Sequence, residues 1–289
     1  MKLKAKILSF FVILIILSSF GATAITYKFD YKNKEDTAEF DELWAVFITH
    51  GDPASDNKNT KSIYDILIDQ GWKDDNIFFL KESEATKDAI LGVADFLNDK
   101  GVCINDLILF YFSIHGGYTE DVPPLDEPDN LDEYISAYNY EESDGKILDE
   151  ELDLMFDNIL TENIIIIFET CYSGGMIDGS KDVKKSGRII ITSTKADETS
   201  YGFFLKDSWV FPYYLIRGLK GKADKNSDGY VSVEEAFKYA EIRTIIRSTV
   251  YGFLLFVFHK SLFNQHPQIY DGWPSEEDNK EELKLIFLK

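Results

Sequence analysis

Two side chains in this sequence have the chemistry of an acyl-transfer centre: the thiol of Cys171 and the imidazole of His115. Cys171 sits in Ile164 to Gly175 (IIIIFETCYSGG), and His115 follows Leu107 to Ile114 (LILFYFSI) and precedes Gly116-Gly117. Amide hydrolysis by a thiol needs a nucleophilic thiolate, a proton donor for the leaving amine, and hydrogen-bond donors for the oxyanion. Cys171 supplies the first and His115 the second. The backbone N–H groups of Gly116 and Cys171 supply the third, because a Gly beside the His lets a substrate carbonyl approach the main chain. Nearby imidazolium character is expected to lower the thiol pKa. The competing reading is structural, since a Cys after a buried strand is often core and a lone His-Gly is a weak signal. His50 is a rival imidazole. It also ends an apolar run and precedes Gly51, so it is expected at the same edge, in the substrate pocket or as the base itself. His259 and His266 lack that setting and are expected to be structural. Ser173 lies in Cys-Tyr-Ser-Gly-Gly rather than a G-x-S-x-G elbow, so serine hydrolase chemistry fits poorly.

The elements that must position these groups can be read from the apolar pattern. Uninterrupted β-branched and aromatic runs predict strands buried on both faces, as in a parallel sheet. Ligands of open α/β sheets bind beyond the carboxyl ends of such strands. Strands are expected at Leu43 to Thr49, Asn76 to Leu80, Leu107 to Ile114, Ile164 to Glu169 and Arg188 to Thr194, with a closing edge strand at Lys284 to Leu288. A polar loop, Ala54 to Lys58, precedes a helix from Thr60 to Gln70 that Gly71 caps. Ala85 to Lys100 reads as one amphipathic helix with Ile90, Val93, Phe96 and Leu97 on one face. A helix capped by Asp149 runs to about Leu160. Further helices are expected at Trp209 to Leu219 and Val233 to Arg247. Tyr118 to Tyr140 reads as a long irregular loop, and Ser143-Asp144-Gly145 as a turn. Strand–helix alternation predicts an α/β fold, a mostly parallel sheet with helices on both faces, in a single domain over residues 43–289.

The ends and the charge narrow the setting. Lys2, Lys4 and Lys6, the apolar stretch Ile7 to Phe20, and Ala22-Thr23-Ala24 read as an export signal over residues 1–24. The alternative is an uncleaved anchor, the one condition under which membrane contact is expected; the run is shorter than the ~20 residues of a spanning helix. Residues 25–42 read as a polar tether. A formal net charge of -21 repels phosphate backbones and argues against nucleic-acid binding. Two cysteines, Cys103 and Cys171, make no disulfide scaffold. They fall at opposite ends of their strands, and Cys103 is expected as a small buried apolar residue. Val250 to Phe258 is apolar but too short to span a bilayer, and is expected as a buried helix end or strand.

YFSIHGG and FETCYSGG, in that order, resemble the His-Gly and Glu-x-Cys-x-Ser-Gly motifs of the legumain group of caspase-like cysteine peptidases, and ITSTKADETSYG is similar to a later strand and Glu-Ser-Ser-Tyr-like loop of that group. The similarity covers about Leu43 to Tyr201. It implies a three-layer caspase-like fold, a peptide or protein substrate, His115 and Cys171 as catalytic dyad, and Gly116 with the Cys171 amide as oxyanion hole. Glu169, Thr199 and Ser200 would line the pocket for the residue preceding the scissile bond. Legumains carry an Arg-His pair ahead of the first helix that helps bind asparagine. Here Ser55-Asp56-Asn57-Lys58 stands there, and acidic groups such as Asp56 or Glu169 favour a basic side chain instead. A counterpart of legumain's large C-terminal prodomain is missing from the sequence, so control is expected to come from elsewhere.

A second motif points to a metal. Residues 224–235 match the twelve-position EF-hand loop, with Asp224, Asn226, Asp228, the Tyr230 carbonyl and Ser232 as oxygen ligands, Glu235 as bidentate closure and Gly229 at the bend. One structural calcium is expected, of the weak extracellular class with Kd ~10⁻⁴–10⁻³ M. The Asp144-Gly145 turn has no such ligand series. The sequence therefore predicts an exported, calcium-stabilised cysteine endopeptidase. A transpeptidase would share its acyl-enzyme, and a non-catalytic calcium-binding module on the same scaffold is the reading from another class.

Overall fold

The computed structural model describes residues 40–51, 53–121, 130–138, 145–179, 182–203, 206–259, 264–274 and 282–288. The export-signal stretch, most of the tether, and Asp144 lie outside them, as do the side chains of Ser55, Asp56 and Asn57. In chain order the elements are β1 (Leu43–Thr49), α1 (Pro53–Asp69), β2 (Ile77–Lys81), α2 (Lys87–Leu91), α3 (Val93–Lys100), β3 (Leu107–Ser113), β4 (Gly116–Glu120), β5 (Leu131–Ser136) and β6 (Lys146–Leu148). They continue as α4 (Asp149–Asp157), β7 (Ile164–Glu169), β8 (Arg188–Thr192), β9 (Gly202–Phe203), β10 (Lys206–Trp209) and α5 (Val210–Arg217). The last are β11 (Tyr230–Ser232), α6 (Val233–His259), β12 (Gln268–Asp271) and β13 (Lys284–Phe287).

Six strands form the main sheet in the order β12-β8-β7-β3-β1-β2. All its pairings are parallel except that of β12 with β8. Successive side chains on a strand point to opposite faces, and the two cores divide accordingly. Phe47, Leu109, Tyr111, Ile165 and Ile167 pack with Ile63 and Leu67 of α1, Phe211 of α5 and Phe237 of α6. Val46, Ile48, Phe110, Phe112, Ile166 and Phe168 pack on the other side with Ile90, Leu97 and Phe156 of α2, α3 and α4. The result is a three-layer α/β architecture with a mainly parallel central sheet, consistent with the caspase-like fold.

A run of four isoleucines cannot set its own register, because each one suits either face. Polar groups at the strand's lower end do so. The Thr161 hydroxyl donates to the Asp106 carbonyl at 2.6 Å, and the Trp273 indole N–H donates to Asn163 Oδ1 at 3.3 Å. The Asp106 carboxylate, itself buried, accepts from the Trp44 indole at 2.9 Å, the Glu42 amide at 3.0 Å and the Cys103 amide at 2.9 Å. Arg188, buried at the start of β8, spans Asp153 and Asp157 of α4 with a 2.6 Å contact to each and so fastens that helix to the sheet.

Several local expectations are corrected. Helix α1 begins at Pro53, so the segment expected as a polar loop is its first turns; Pro is well suited to a helix start. Ala85 to Lys100 is two helices divided at Gly92, the residue that costs least to take out of a helix. Phe96 is 40% exposed rather than core, its ring edge-on to Phe78. The stretch expected as an irregular loop after His115 contains β4 and β5, which with β6 form a three-stranded antiparallel sheet. Asp149 does not cap α4: Leu148 is the cap residue, and Glu151 reaches back to its N–H at 3.0 Å. Strand β8 stops at Thr192, because Thr192 Oγ1 turns onto the Thr194 carbonyl. Cys103 is exposed, in a turn with its thiol on the Gly101 carbonyl, and neither cysteine is bridged. Lys284–Phe287 pairs with β11 at residues 230–232, not with the main sheet. Val250 to Phe258, expected as a helix end or strand, is the end of α6, and among the described residues no helix is long and apolar enough to cross a membrane.

Candidate active site

The register of the central strands carries the site. Thr49 pairs with Ser113 and Ser113 with Glu169, and the pairing runs past the strand end because the His50 amide donates to the Ser113 carbonyl at 3.0 Å. Two steps beyond that row stand Gly51, His115 and Cys171. Their closeness shows in what a side chain at either glycine would strike. A Cβ on Gly51 would fall 2.5 Å from His115 Nε2, and one on Gly116 would fall 2.3 Å from the Cys171 carbonyl oxygen. Gly51 also has φ +111°, a conformation that L side chains resist.

An open cleft is lined by His50, Ser113, Ile114, His115, Glu169, Thr170, Cys171, Ser200 and Trp209. The thiol and the imidazole thus face one space. Among the described residues no hydrogen bond joins them. Cys171 Sγ instead accepts the Ser200 N–H at 3.4 Å. Burial pushes the thiol above its ordinary pKa and the Glu169 carboxylate adds to this, with the Ser200 amide opposing both. The expected lowering by a nearby imidazolium is therefore not the resting state, because partial burial outweighs the polar contacts. Glu169 is buried and takes the Ser200 hydroxyl. His50 is oriented by Glu82, whose Oε2 lies 3.2 Å from Nδ1, and its ring is edge-on to His115 with centroids 6.2 Å apart. Glu82 holds φ 46°, an uncommon conformation for a residue of its kind.

Of the pocket residues expected from sequence, Glu169, Ser200 and His50 meet here. Thr199 does not line the cleft, because its hydroxyl turns to Tyr201 at 2.9 Å. Glu198 fixes this loop. Its carbonyl accepts the Tyr172 N–H at 2.7 Å and its carboxylate holds His266 Nδ1 at 2.5 Å, which is the structural role expected of that histidine. Sequence reasoning missed Glu82, Trp209 and Gly51 as parts of the site. Only Gly51 carried a signal, as a Gly directly after a strand-ending His.

Fold and cleft are consistent with the caspase-like arrangement: a thiol and an imidazole at the carboxyl edge of neighbouring parallel strands. Residues 56–180, which include both His115 and Cys171, match the family model of the metacaspase peptidase C14 domain. Among similar proteins are Metacaspase-1 of Candida albicans, 31% identical over 137 residues that are 44% of this chain and 30% of that protein, and Metacaspase-1 of Pyricularia oryzae, 34% identical over 98 residues, 33% of this chain and 24% of that protein. Metacaspase-1A of Aspergillus oryzae is 34% identical over 99 residues, 34% of this chain and 23% of that protein. The chain thus spans no more than 30% of the length of these relatives. The matched segment is similar to the cysteine-type peptidase domain of these caspase-like proteins. The likeness is to metacaspases, and the finer legumain resemblance is not what these matches carry.

Proposed function

We propose that this chain is an exported cysteine endopeptidase that cleaves peptide bonds following a basic residue, through an acyl-enzyme on Cys171. The observation that supports it best is the row of Gly51, His115 and Cys171 above a cleft whose wall holds the Glu169 carboxylate. His115 takes the thiol proton as Sγ attacks the scissile carbonyl carbon. The oxyanion is met by the N–H groups of Gly116 and Cys171. His115 then returns the proton to the leaving amine as the C–N bond breaks, leaving a thioester. Water, deprotonated by His115, resolves the thioester to a carboxylic acid and restores the thiol. A thiol whose resting pKa is raised suits proton transfer during attack rather than a standing ion pair. Export rests on the basic and apolar character of residues 1–24. A fluorogenic peptide library read by mass spectrometry tests the reading, and cleavage without preference for Lys or Arg would remove the specificity claim.

Glu169→Gln should move two readouts in opposite directions. Removing the negative charge makes the thiolate easier to form, so Cys171 alkylation near neutral pH should quicken and its pH midpoint should fall. Preference for a basic residue over a neutral one should drop by about tenfold or more, since the pocket loses its counter-charge. Slower alkylation in the variant would contradict the electrostatics described for the site.

We further propose a structural calcium in the loop of residues 224–235. Its backbone fits: Gly229 bends at φ +85°, and Tyr230–Ser232 forms the short strand β11. One carboxylate oxygen of Asp224 is buried with no hydrogen-bond partner. The Glu235 oxygens reach the N–H groups of Lys225 and Ser232 at 3.3 and 3.4 Å, spanning the loop. Among the described residues no three His, Cys, Asp or Glu side chains form a metal-binding group, so Asp224, Asp228 and Glu235 would have to converge on the ion. Asn226, Ser232 and the Tyr230 carbonyl would complete the oxygen set. At ten times a Kd of ~1 mM, binding would stabilise the fold by about 1.4 kcal/mol, or a few degrees in Tm. Calcium should raise Tm by that amount, chelator should reverse it, and Glu235→Gln should abolish the response. An unchanged Tm would remove the calcium.

A further inference from the structure

The thiol has a second flank that the cleft does not include. Tyr172 follows Cys171 directly and is held at φ 59°, in the left-handed region that residues with a Cβ rarely occupy. Strain of this kind persists only where surrounding contacts impose it, and it clusters at functional sites. Two contacts impose it here. The Tyr172 N–H is tied to the Glu198 carbonyl at 2.7 Å, and its ring meets Tyr118 of β4 edge-to-face with centroids 5.0 Å apart. Tyr118 is 49% exposed, although a ring of that size contributes most when covered. Tyr134 lies under the same strand, where a Cβ on Gly117 would fall 2.5 Å from its hydroxyl. Burial raises the Tyr172 phenol pKa, and Tyr118, Cys171, Tyr201 and Tyr134 are all close enough to add to the rise.

These rings adjoin the nucleophile outside the cleft wall that holds Glu169. Neither Tyr118 nor Tyr172 lines the cleft that holds Glu169, Ser200 and His50. A peptide whose scissile carbonyl sits between the Gly116 and Cys171 amides must place its acyl side in that cleft. With its acyl side there, its leaving side would lie nearer the residues outside the cleft, among which Tyr172 directly follows the nucleophile. We propose that Tyr118 and Tyr172 form a specificity-determining subsite for an aromatic or large apolar side chain on the residue just after the scissile bond. The inference rests on the peptidase reading above. Two edge-to-face rings leave an open aromatic face for a third ring, and covering about 49% of Tyr118 would add apolar burial on substrate binding.

The test uses internally quenched peptides alike except for Phe or Ser after the scissile bond. The ratio of their kcat/KM values is read, a quantity independent of the active fraction. Wild type should prefer Phe by about tenfold, the discrimination a hydrophobic pocket commonly provides. Tyr118→Ala should bring the ratio near one, and Tyr118→Phe, which keeps the ring, should retain it. A wild-type ratio near one, or a ratio unmoved in Tyr118→Ala, overturns the subsite while leaving the peptidase reading intact. Cleavage of neither peptide by a protein whose Cys171 is intact overturns both.

Discussion

Cys171→Ala should reduce peptide cleavage by on the order of 10⁴-fold or more, with a Tm close to that of the wild type. The substitution removes the atom that becomes the acyl carrier. What remains is the oxyanion hole and binding, which cannot divide the reaction into two easier steps. Cys171 is only partly buried and its thiol makes one weak contact, the Ser200 N–H at 3.4 Å, so folding should hardly register the change. His115→Ala should cost nearly as much, and the double variant no more than either alone, as expected of groups acting as a unit. Labelling by a thiol-directed probe gives a second readout, in which Cys171 should react more slowly in His115→Ala. Because Cys103 is exposed, the label must be located by peptide mapping or measured in a Cys103→Ser background. Retained cleavage in Cys171→Ala would end the peptidase assignment.

Gly51→Ala should lower kcat/KM by about 100-fold without touching either reacting group. The added Cβ would stand 2.5 Å from His115 Nε2 and 2.7 Å from Cδ2, closer than any tolerated contact, so the imidazole must move. Misplacement of a catalytic group by about 1 Å can cost that factor. The φ of +111° adds backbone strain of about 1–3 kcal/mol, which should show as a Tm lower by several degrees. Activity is therefore compared well below the variant's own Tm. A kcat/KM within threefold of wild type would mean that the imidazole works from another position, and the site geometry would need redrawing.

The two predictions differ in what made them possible. Cys171 and His115 were legible because each follows a run of apolar residues too uniform to be anything but buried strand, and because the backbone leaves such a strand at the sheet edge where side chains are free to act. The contact between Gly51 and His115 was not legible, since it depends on β1 lying beside β3, and strand order is a matter of crossovers between distant segments. Thr199 was misjudged for a similar reason. Adjacent loop residues look equivalent in sequence, but the hydrogen bond to Tyr201 turns one hydroxyl away while Ser200 reaches Glu169. The antiparallel pair β4–β5 was missed because its alternation is weak and Gly-rich, and its pairing partner lies beyond the intervening Pro-rich segment. Cys103 was misplaced because burial of a cysteine follows its turn, here held by Asp106, rather than its type.

From sequence alone came the α/β class, the two side chains able to carry acyl transfer, and the twelve-residue oxygen-rich loop. Each is local: a hydrophobic period, a residue following a strand, a spacing of ligands. Tertiary structure decided which strands are neighbours, hence that His115 and Cys171 share a row. It also decided that burial and a neighbouring carboxylate raise the thiol pKa, and that two tyrosines adjoin the nucleophile outside the cleft. Those properties arise from distances and burial between segments remote along the chain, which short-range pattern does not encode.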